Sequence, residues 1–149
     1  MNIYLLFLTL IFSSCLDEDN SLEEIKRQIK INETQKIISI LSSDSLKGRD
    51  NKNKGYFKAA NYVIKYFRKN NINPLYKDFK DIFYSDSIKS YNIVGSVGEF
   101  LNKRKTILIG AHLDHIGING IGADSIYNGA NDNASGCVSV LQIGSFLSQ

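Results

Sequence analysis

Three residues near the end of the chain have the types and spacing needed for metal chemistry. An apolar run, residues 106–111, leads directly into His112, and Asp114 follows two positions later. Ligands bind at the carboxyl ends of strands in open α/β sheets, so His112 is placed to point into a site. A carboxylate such as Asp114 can accept the second ring N–H of a metal-bound histidine. Asp132 lies among small residues at a tight turn before a helix, where its carboxylate could bridge two divalent metal ions.

The apolar pattern predicts the elements that must position these groups. The run 106–111 is continuous, which is typical of a strand buried on both faces. Residues 112–133 are rich in glycine and polar turn residues and predict a long loop. Residues 134–147 predict a helix packed inside the protein, and residues 55–70 have the spacing of an amphipathic helix. Residues 91–97 are a β-branched run. Helices mixed with buried strands indicate an α/β fold.

Weaker signals predict the elements closer to the N-terminus. Ser21 and Glu24 form a capping box that predicts one helix, and a second helical stretch follows Asn32. Residues 42–54 are polar and predict a loop. Residues 75–84 alternate loosely, as in an exposed strand.

Composition and charge limit the classes of function. The 149 residues suit one domain, and an apolar fraction of 43% excludes a disordered chain. The net charge of +3 is too small to imply nucleic acid. Basic residues up to Lys105 are scattered and predict a solvated surface. Beyond Lys105 the charged residues are Asp114, Asp124 and Asp132, so this segment combines acids with both histidines. That combination favours a metal site.

Two motifs surround the candidate residues: Gly110-Ala111-His112-Leu113-Asp114 and Asn131-Asp132-Asn133-Ala134-Ser135-Gly136. In this order they resemble the co-catalytic di-zinc aminopeptidase family of the aminopeptidase S and Y type. Segments upstream of these motifs also resemble the N-terminal part of that family's domain. They are Leu41-Ser42-Ser43-Asp44, Leu46-Lys47-Gly48-Arg49 and Tyr91-Asn92-Ile93-Val94-Gly95. The resemblance runs from about Leu41 to the last residue. The resemblance implies a zinc-exopeptidase-like α/β fold with a mixed, mostly parallel sheet flanked by helices.

The resemblance also implies a role for each candidate. His112 is expected to bind one zinc, Asp132 to bridge two zinc ions, and Asp114 to orient His112 as a catalytic carboxylate. Two zinc ions can polarise a scissile carbonyl and activate a water molecule, so the expected reaction removes N-terminal residues from peptide substrates.

The family takes its general base and its other ligands from residues downstream of the second motif. The base belongs to a Glu-Glu pair, and a further Asp and His complete the metal shell. After Asp132 this sequence contains no Asp, Glu or His. Residues 32–149 are therefore expected to be the N-terminal part of a zinc peptidase domain, truncated and inactive alone.

The N-terminus has the pattern of a lipoprotein signal. A run of ten apolar residues, 3–12, is shorter than the about 20 residues that span a bilayer but suits a secretory signal. Small residues before Cys15 resemble a bacterial lipobox. We expect a signal peptide over 1–14, a lipidated Cys15, and a tether with an N-terminal helix over 15–31. The expected location is secreted or cell envelope, as an outer-membrane lipoprotein of a Gram-negative bacterium. A plain cleaved signal or a buried N-terminal segment is the alternative.

Other interpretations stay open at this point. A non-catalytic peptidase-fold lipoprotein could keep the fold for binding, and a glutaminyl-cyclase-like acyltransferase would use a single zinc. Asp132 could also serve as the N-cap of the last helix. His115 matches no ligand position and is expected in the loop or at the rim of the site, and Asp124 is expected in solvated loop. Cys137 is expected to be a small buried core residue.

Overall fold

Helices and short antiparallel strand pairs make up the part of the chain that the computed structural model describes. That part is residues 31–149 without 86, 99–104, 120, 121 and 123. The predictions for the signal peptide, for lipidation at Cys15 and for the helix starting at Ser21 fall outside it. From Asn32 onward the described residues belong to one compact unit. In this part no helix combines the length and the apolar character needed to cross a membrane.

Three α-helices lie where the apolar periodicity predicts helices. They are α1 (Ile31–Leu41), α2 (Lys54–Lys69) and α3 (Ser135–Leu147). The side chain of Asn53 caps α2 by accepting a hydrogen bond from the Gly55 amide at 2.7 Å. The helix predictions are confirmed to within a few residues at each end.

Helix α3 is less buried than its composition predicts. Its inward face buries Cys137, Val138 and Leu141, whereas Phe146 and Leu147 near its end are exposed. The prediction of a helix packed inside the protein is therefore wrong for the described residues: one side of α3 meets the core and the other meets solvent. The reason is that the nearest packing partners in this part of the chain, α2 and the residues around it, cover one side of α3.

Four short strands form two antiparallel pairs. Strand β1 (Asn73–Pro74) pairs with β4 (Gly95–Ser96), and β2 (Lys80–Ser85) pairs with β3 (Ile88–Ile93) as a hairpin. The strand predicted over 75–84 is only partly present, because a 3₁₀ turn at Lys77–Phe79 separates β1 from β2. All strand pairs among the described residues are antiparallel, so this part of the chain does not show the predicted mostly parallel sheet.

Residues 106–111 contradict the prediction of a doubly buried strand. In the structure they are irregular, and Ile107 and Leu108 are 85% and 89% exposed. A strand is stabilised by hydrogen bonds to neighbouring strands and by cover on its faces, and the described residues provide neither here. The apolar composition of this segment is real, but its burial needs partners that these residues do not supply.

The main hydrophobic core lies between α2 and α3. Leu41, Phe67, Ile72, Val138 and Leu141 are all buried in one cluster. Burying a side chain of this size is worth about 1.5–3 kcal/mol, so these contacts supply much of the stability of the unit.

The segment between α1 and α2 is more ordered than the loop that its polar composition predicts. A 3₁₀ helix spans Asp44–Arg49, and its last three residues have left-handed backbone angles. This turn directs the side chain of Arg49 inward, where it is completely buried. The prediction that basic residues in this region lie on a solvated surface is therefore wrong for Arg49.

Candidate metal site

The two residues predicted as zinc ligands meet in the structure. Nε2 of His112 lies 3.0 Å from Oδ1 of Asp132, although 20 positions separate them in the sequence. Both side chains are more than half exposed, at 53% and 67%, so a metal ion can reach them. The irregular segment before His112 and the turn before α3 bring the pair together.

Asp114 lies on the Nδ1 side of the His112 ring. Nδ1 of His112 is 3.0 Å from the main-chain carbonyl oxygen of Asp114 and 3.5 Å from its Oδ1. The nearer partner of the ring nitrogen is thus the carbonyl group, with the carboxylate just beyond. A carbonyl or a carboxylate in this position holds the Nδ1 proton and leaves Nε2 free to bind a metal.

His115 is closer to the site than its sequence position suggests. Its Nδ1 lies 3.6 Å from Oδ2 of Asp132, and its side chain is only 11% exposed. Its ring also contacts Tyr127 edge-on, with centroids 6.5 Å apart. His115 lies in an irregular segment, as predicted for a loop residue, and its ring borders the second oxygen of the Asp132 carboxylate. The signal that could have found it is the His112-x-x-His115 spacing.

The turn that carries Asp132 is held by its neighbours. Gly129 has a left-handed φ of 62°, and a single π-helical turn follows over Ala130–Ala134. The peptide bond between Asp132 and Asn133 is cis. Oδ1 of Asn133 accepts a hydrogen bond from the Gly136 amide at 3.1 Å, which ties the turn to the first residues of α3. The N-cap position of α3 is occupied by Ala134, and the side chain that bonds to the first turn is that of Asn133, so the alternative of Asp132 as the N-cap is not supported.

Cys137 lies beneath the site, as a small buried residue. Its Sγ donates to the main-chain oxygen of His112 at 3.3 Å. Burial raises the pKa of its thiol to about 11, which keeps the sulfur protonated at neutral pH. The prediction that Cys137 belongs to the core is confirmed. A protonated buried thiol is a poor metal ligand, so Cys137 is not a candidate ligand.

The donor pair fits one edge of a zinc shell. Two ligands of a tetrahedral zinc, each about 2.0–2.1 Å from the metal, are about 3.3 Å apart, close to the 3.0 Å between His112 Nε2 and Asp132 Oδ1. Imidazole nitrogen and carboxylate oxygen are both zinc ligands. Over the described residues, no group of three or more His, Cys, Asp and Glu is arranged to hold a metal ion. The described residues therefore supply two candidate zinc ligands, His112 and Asp132.

Comparison with known proteins gives a family match to the segment that carries His112 and Asp132. Residues 92–149 match the model of peptidase family M28, a stretch that begins in β3 and contains both motifs. The match indicates similarity to hydrolases of the peptidase class. Over this segment the chain is similar to peptidase family M28. Neither a curated protein nor a solved structure gave a match to the chain.

Proposed function

We propose that this chain provides the His112 and Asp132 side of a two-zinc aminopeptidase site that removes N-terminal residues from peptides. The observation that carries the proposal is the 3.0 Å approach of His112 Nε2 to Asp132 Oδ1, inside the segment that matches the peptidase family.

Each residue has one role in this proposal. His112 binds one zinc through Nε2, while Nδ1 stays directed at Asp114. Asp132 would be shared between two zinc ions, and its side chain is 67% exposed. Asp114 orients the His112 ring and raises its basicity. Zinc, when bound, polarises the scissile carbonyl of the peptide and activates a water molecule.

The proposed reaction needs groups that these residues do not provide. A general base must take a proton from the activated water and deliver it to the leaving amine. Residues 133–149 contain no Asp, Glu or His that could act as this base or complete the metal shell. We therefore expect the 149-residue chain by itself to bind zinc through a partial shell and to show no appreciable hydrolysis.

Two further parts of the proposal concern fold and location. The mixed, mostly parallel sheet of a zinc exopeptidase stays part of the proposal, and the family match of residues 92–149 supports it. A lipid on Cys15 would attach the protein to the outer membrane, which suits an enzyme that acts on peptides outside the cytoplasm. The run of small residues before Cys15 supports the anchor.

Zinc titration of the purified chain tests the proposed site. Isothermal titration should give a measurable affinity for the wild type. Loss of a group that only orients a metal ligand weakens metal binding by about 10–100-fold. Since His112 and Asp132 are proposed to bind zinc directly, His112→Ala and Asp132→Asn should each weaken zinc binding by more than that. Asp124→Asn is the matched control, because Asp124 is an exposed acid in the same loop region. Equal affinity in all four proteins would refute the proposed ligands.

An activity assay tests the proposed absence of turnover. The chain is incubated with zinc and aminoacyl p-nitroanilides, with an N-acetylated substrate as the control for aminopeptidase specificity. We expect no release of nitroaniline. If the wild type hydrolyses the free-amine substrates and His112→Ala does not, the expectation that the chain alone is inactive is wrong, and its own residues form a complete catalytic site.

A further inference from the structure

Arg49 is the largest fully buried side chain among the described residues, with an exposed fraction of 0%. A guanidinium group has five N–H donors. In the structure each of the five donates to a main-chain carbonyl oxygen, and the distances lie between 2.5 and 3.3 Å; the acceptors are Leu41, Leu113, Asn128, Gly129 and Asp132. The donor capacity of this cation is therefore filled by main-chain oxygens.

These acceptors lie on both loops of the metal site. Leu113, which accepts from Nε at 2.8 Å, stands between His112 and Asp114. Gly129 and Asp132 accept from Nη2 at 2.9 and 3.3 Å and lie at the two ends of the turn that presents the Asp132 carboxylate. One side chain thus binds the main chain beside each proposed zinc ligand.

The backbone of the Arg49 turn holds the same loop a second time. The His115 amide donates to the carbonyl of Arg49 at 3.3 Å, and the Gly117 amide donates to that of Gly48 at 3.1 Å. A Cβ on Gly48 would lie 2.2 Å from the carbonyl oxygen of Gly117, so only glycine permits this approach. The loop after His112 is therefore fixed by the main chain and the side chain of one short turn.

Arg49 is a buried cation, so its charge must be compensated by the groups around it. Burial lowers the pKa of Arg49, and the carboxylates of Asp132 and Asp114 oppose that effect, as does Cys137. An arginine keeps its charge even so. A buried cation is tolerated only when its hydrogen bonds are satisfied, and the three donors of a lysine could not satisfy five carbonyl groups in fixed positions.

We propose that Arg49 is the positioning residue of the metal site: its guanidinium holds the main chain at Leu113 and Asp132 so that the His112 and Asp132 side chains meet before zinc arrives. The proposal rests on the proposed function in one respect, namely that these two side chains bind zinc. It adds a residue that touches neither zinc nor peptide and that acts through the backbone of both ligand-bearing loops.

Substitution of Arg49 tests this role. In Arg49→Lys we expect zinc affinity to fall by about 10–100-fold, the range measured for partners that orient metal ligands. Arg68→Lys is the control for the chemical change, since Arg68 is largely exposed and pairs with Asp78 at 3.4 Å. Leu141→Ala is the control for stability, because it opens the core without touching the site. Wild-type affinity in Arg49→Lys overturns the proposal, and so does an equal loss in Leu141→Ala.

The visible absorption spectrum of bound cobalt(II) distinguishes a change in ligand geometry from a loss of stability. This absorption reports the geometry of the ligands at saturation. We expect Arg49→Lys to change the spectrum of the bound cobalt and Leu141→Ala to keep the wild-type spectrum. An unchanged spectrum in Arg49→Lys would show that Arg49 does not set the geometry of the donors.

A measurement on the wild type keeps the proposal testable if Arg49→Lys fails to fold. In the metal-free chain, the Arg49 Nε–H should exchange slowly with solvent and show NMR coupling across its hydrogen bond to the Leu113 carbonyl carbon. Rapid exchange without that coupling overturns the positioning role. If the wild type binds no zinc while the coupling is present, the proposed function fails and the role of Arg49 in holding the two loops stands.

Discussion

Gly129 offers the sharpest test of how tightly the candidate site is packed. Its φ of +62° lies in the left-handed region, and a Cβ there would sit 2.4 Å from the Asp132 carbonyl oxygen and 2.7 Å from Nη2 of Arg49. Gly98 has a similar φ of +81°, but among the described residues no atom lies within 4 Å of its added Cβ. Gly129→Ala and Gly98→Ala therefore introduce the same kind of backbone strain, and only the first also introduces a clash.

The difference between the two variants has an expected size. Left-handed backbone costs an L-residue about 1–2 kcal/mol, which applies at both positions. The loss of freedom in the unfolded chain on replacing glycine with alanine is also common to both. Overpacking against a main-chain oxygen and a buried guanidinium adds about 1–3 kcal/mol at Gly129. We expect Gly129→Ala to lower the free energy of unfolding by about 1–3 kcal/mol more than Gly98→Ala.

Urea unfolding followed by far-UV circular dichroism measures this difference, since the chain contains no tryptophan. For a slope of about 1–3 kcal/mol per molar urea, the two midpoints should differ by roughly 1 M. Zinc affinity should fall in Gly129→Ala, because the clash displaces the Asp132 turn, and should be unchanged in Gly98→Ala. Equal midpoints and equal affinities would refute the crowded packing around Arg49.

Three other outcomes follow from contacts around the site. The free energy of unfolding should fall as pH rises from 9 to 11, because the pKa of the Cys137 thiol is 9.0 in the unfolded chain and about 11 in the folded chain. Equilibrium unfolding at a series of pH values should show this loss, and Cys137→Ala should lack it. Leu141→Ala should lower the free energy of unfolding by about 2–5 kcal/mol, whereas Ile143→Ala on the exposed side of α3 should cost much less in the same urea assay. Asn133→Ala should cost about 1 kcal/mol through loss of the bond to the Gly136 amide, and hydrogen exchange should show the first turn of α3 opening more often.

The helices could be predicted from sequence because their signals are local. In α2, the buried residues Tyr56, Ala59, Val63 and Phe67 recur at helical spacing, so the pattern itself identifies the face that packs. The candidate ligands could also be predicted from the sequence, because His112 and Asp132 lie in motifs that resemble those of a known family. The structure brings these two residues together, and their role as zinc ligands stays a prediction.

The strand and the arginine could not be predicted in the same way. Whether residues 106–111 form a strand depends on neighbours elsewhere in the chain, because a strand cannot satisfy its own main-chain hydrogen bonds. The burial of Arg49 depends on carbonyl groups that lie up to 83 positions away. Arginine in a polar stretch ordinarily indicates surface, and the Gly48-Arg49 pair gives a signal only through the family lead-in.

The hydrogen bonds of Arg49 also determine when in folding the site can form. Those to Leu113, Asn128, Gly129 and Asp132 close loops of 64 to 83 residues. Contacts of such long range are made after the local helices, because the entropy of loop closure must be overcome first. During synthesis, Arg49 leaves the ribosome well before its acceptors do, and the turn that carries Asp132 has no anchor until they meet. The candidate metal site is thus expected to be among the last parts of the described unit to assemble, because the loops of His112 and Asp132 are joined only once both have reached the Arg49 turn.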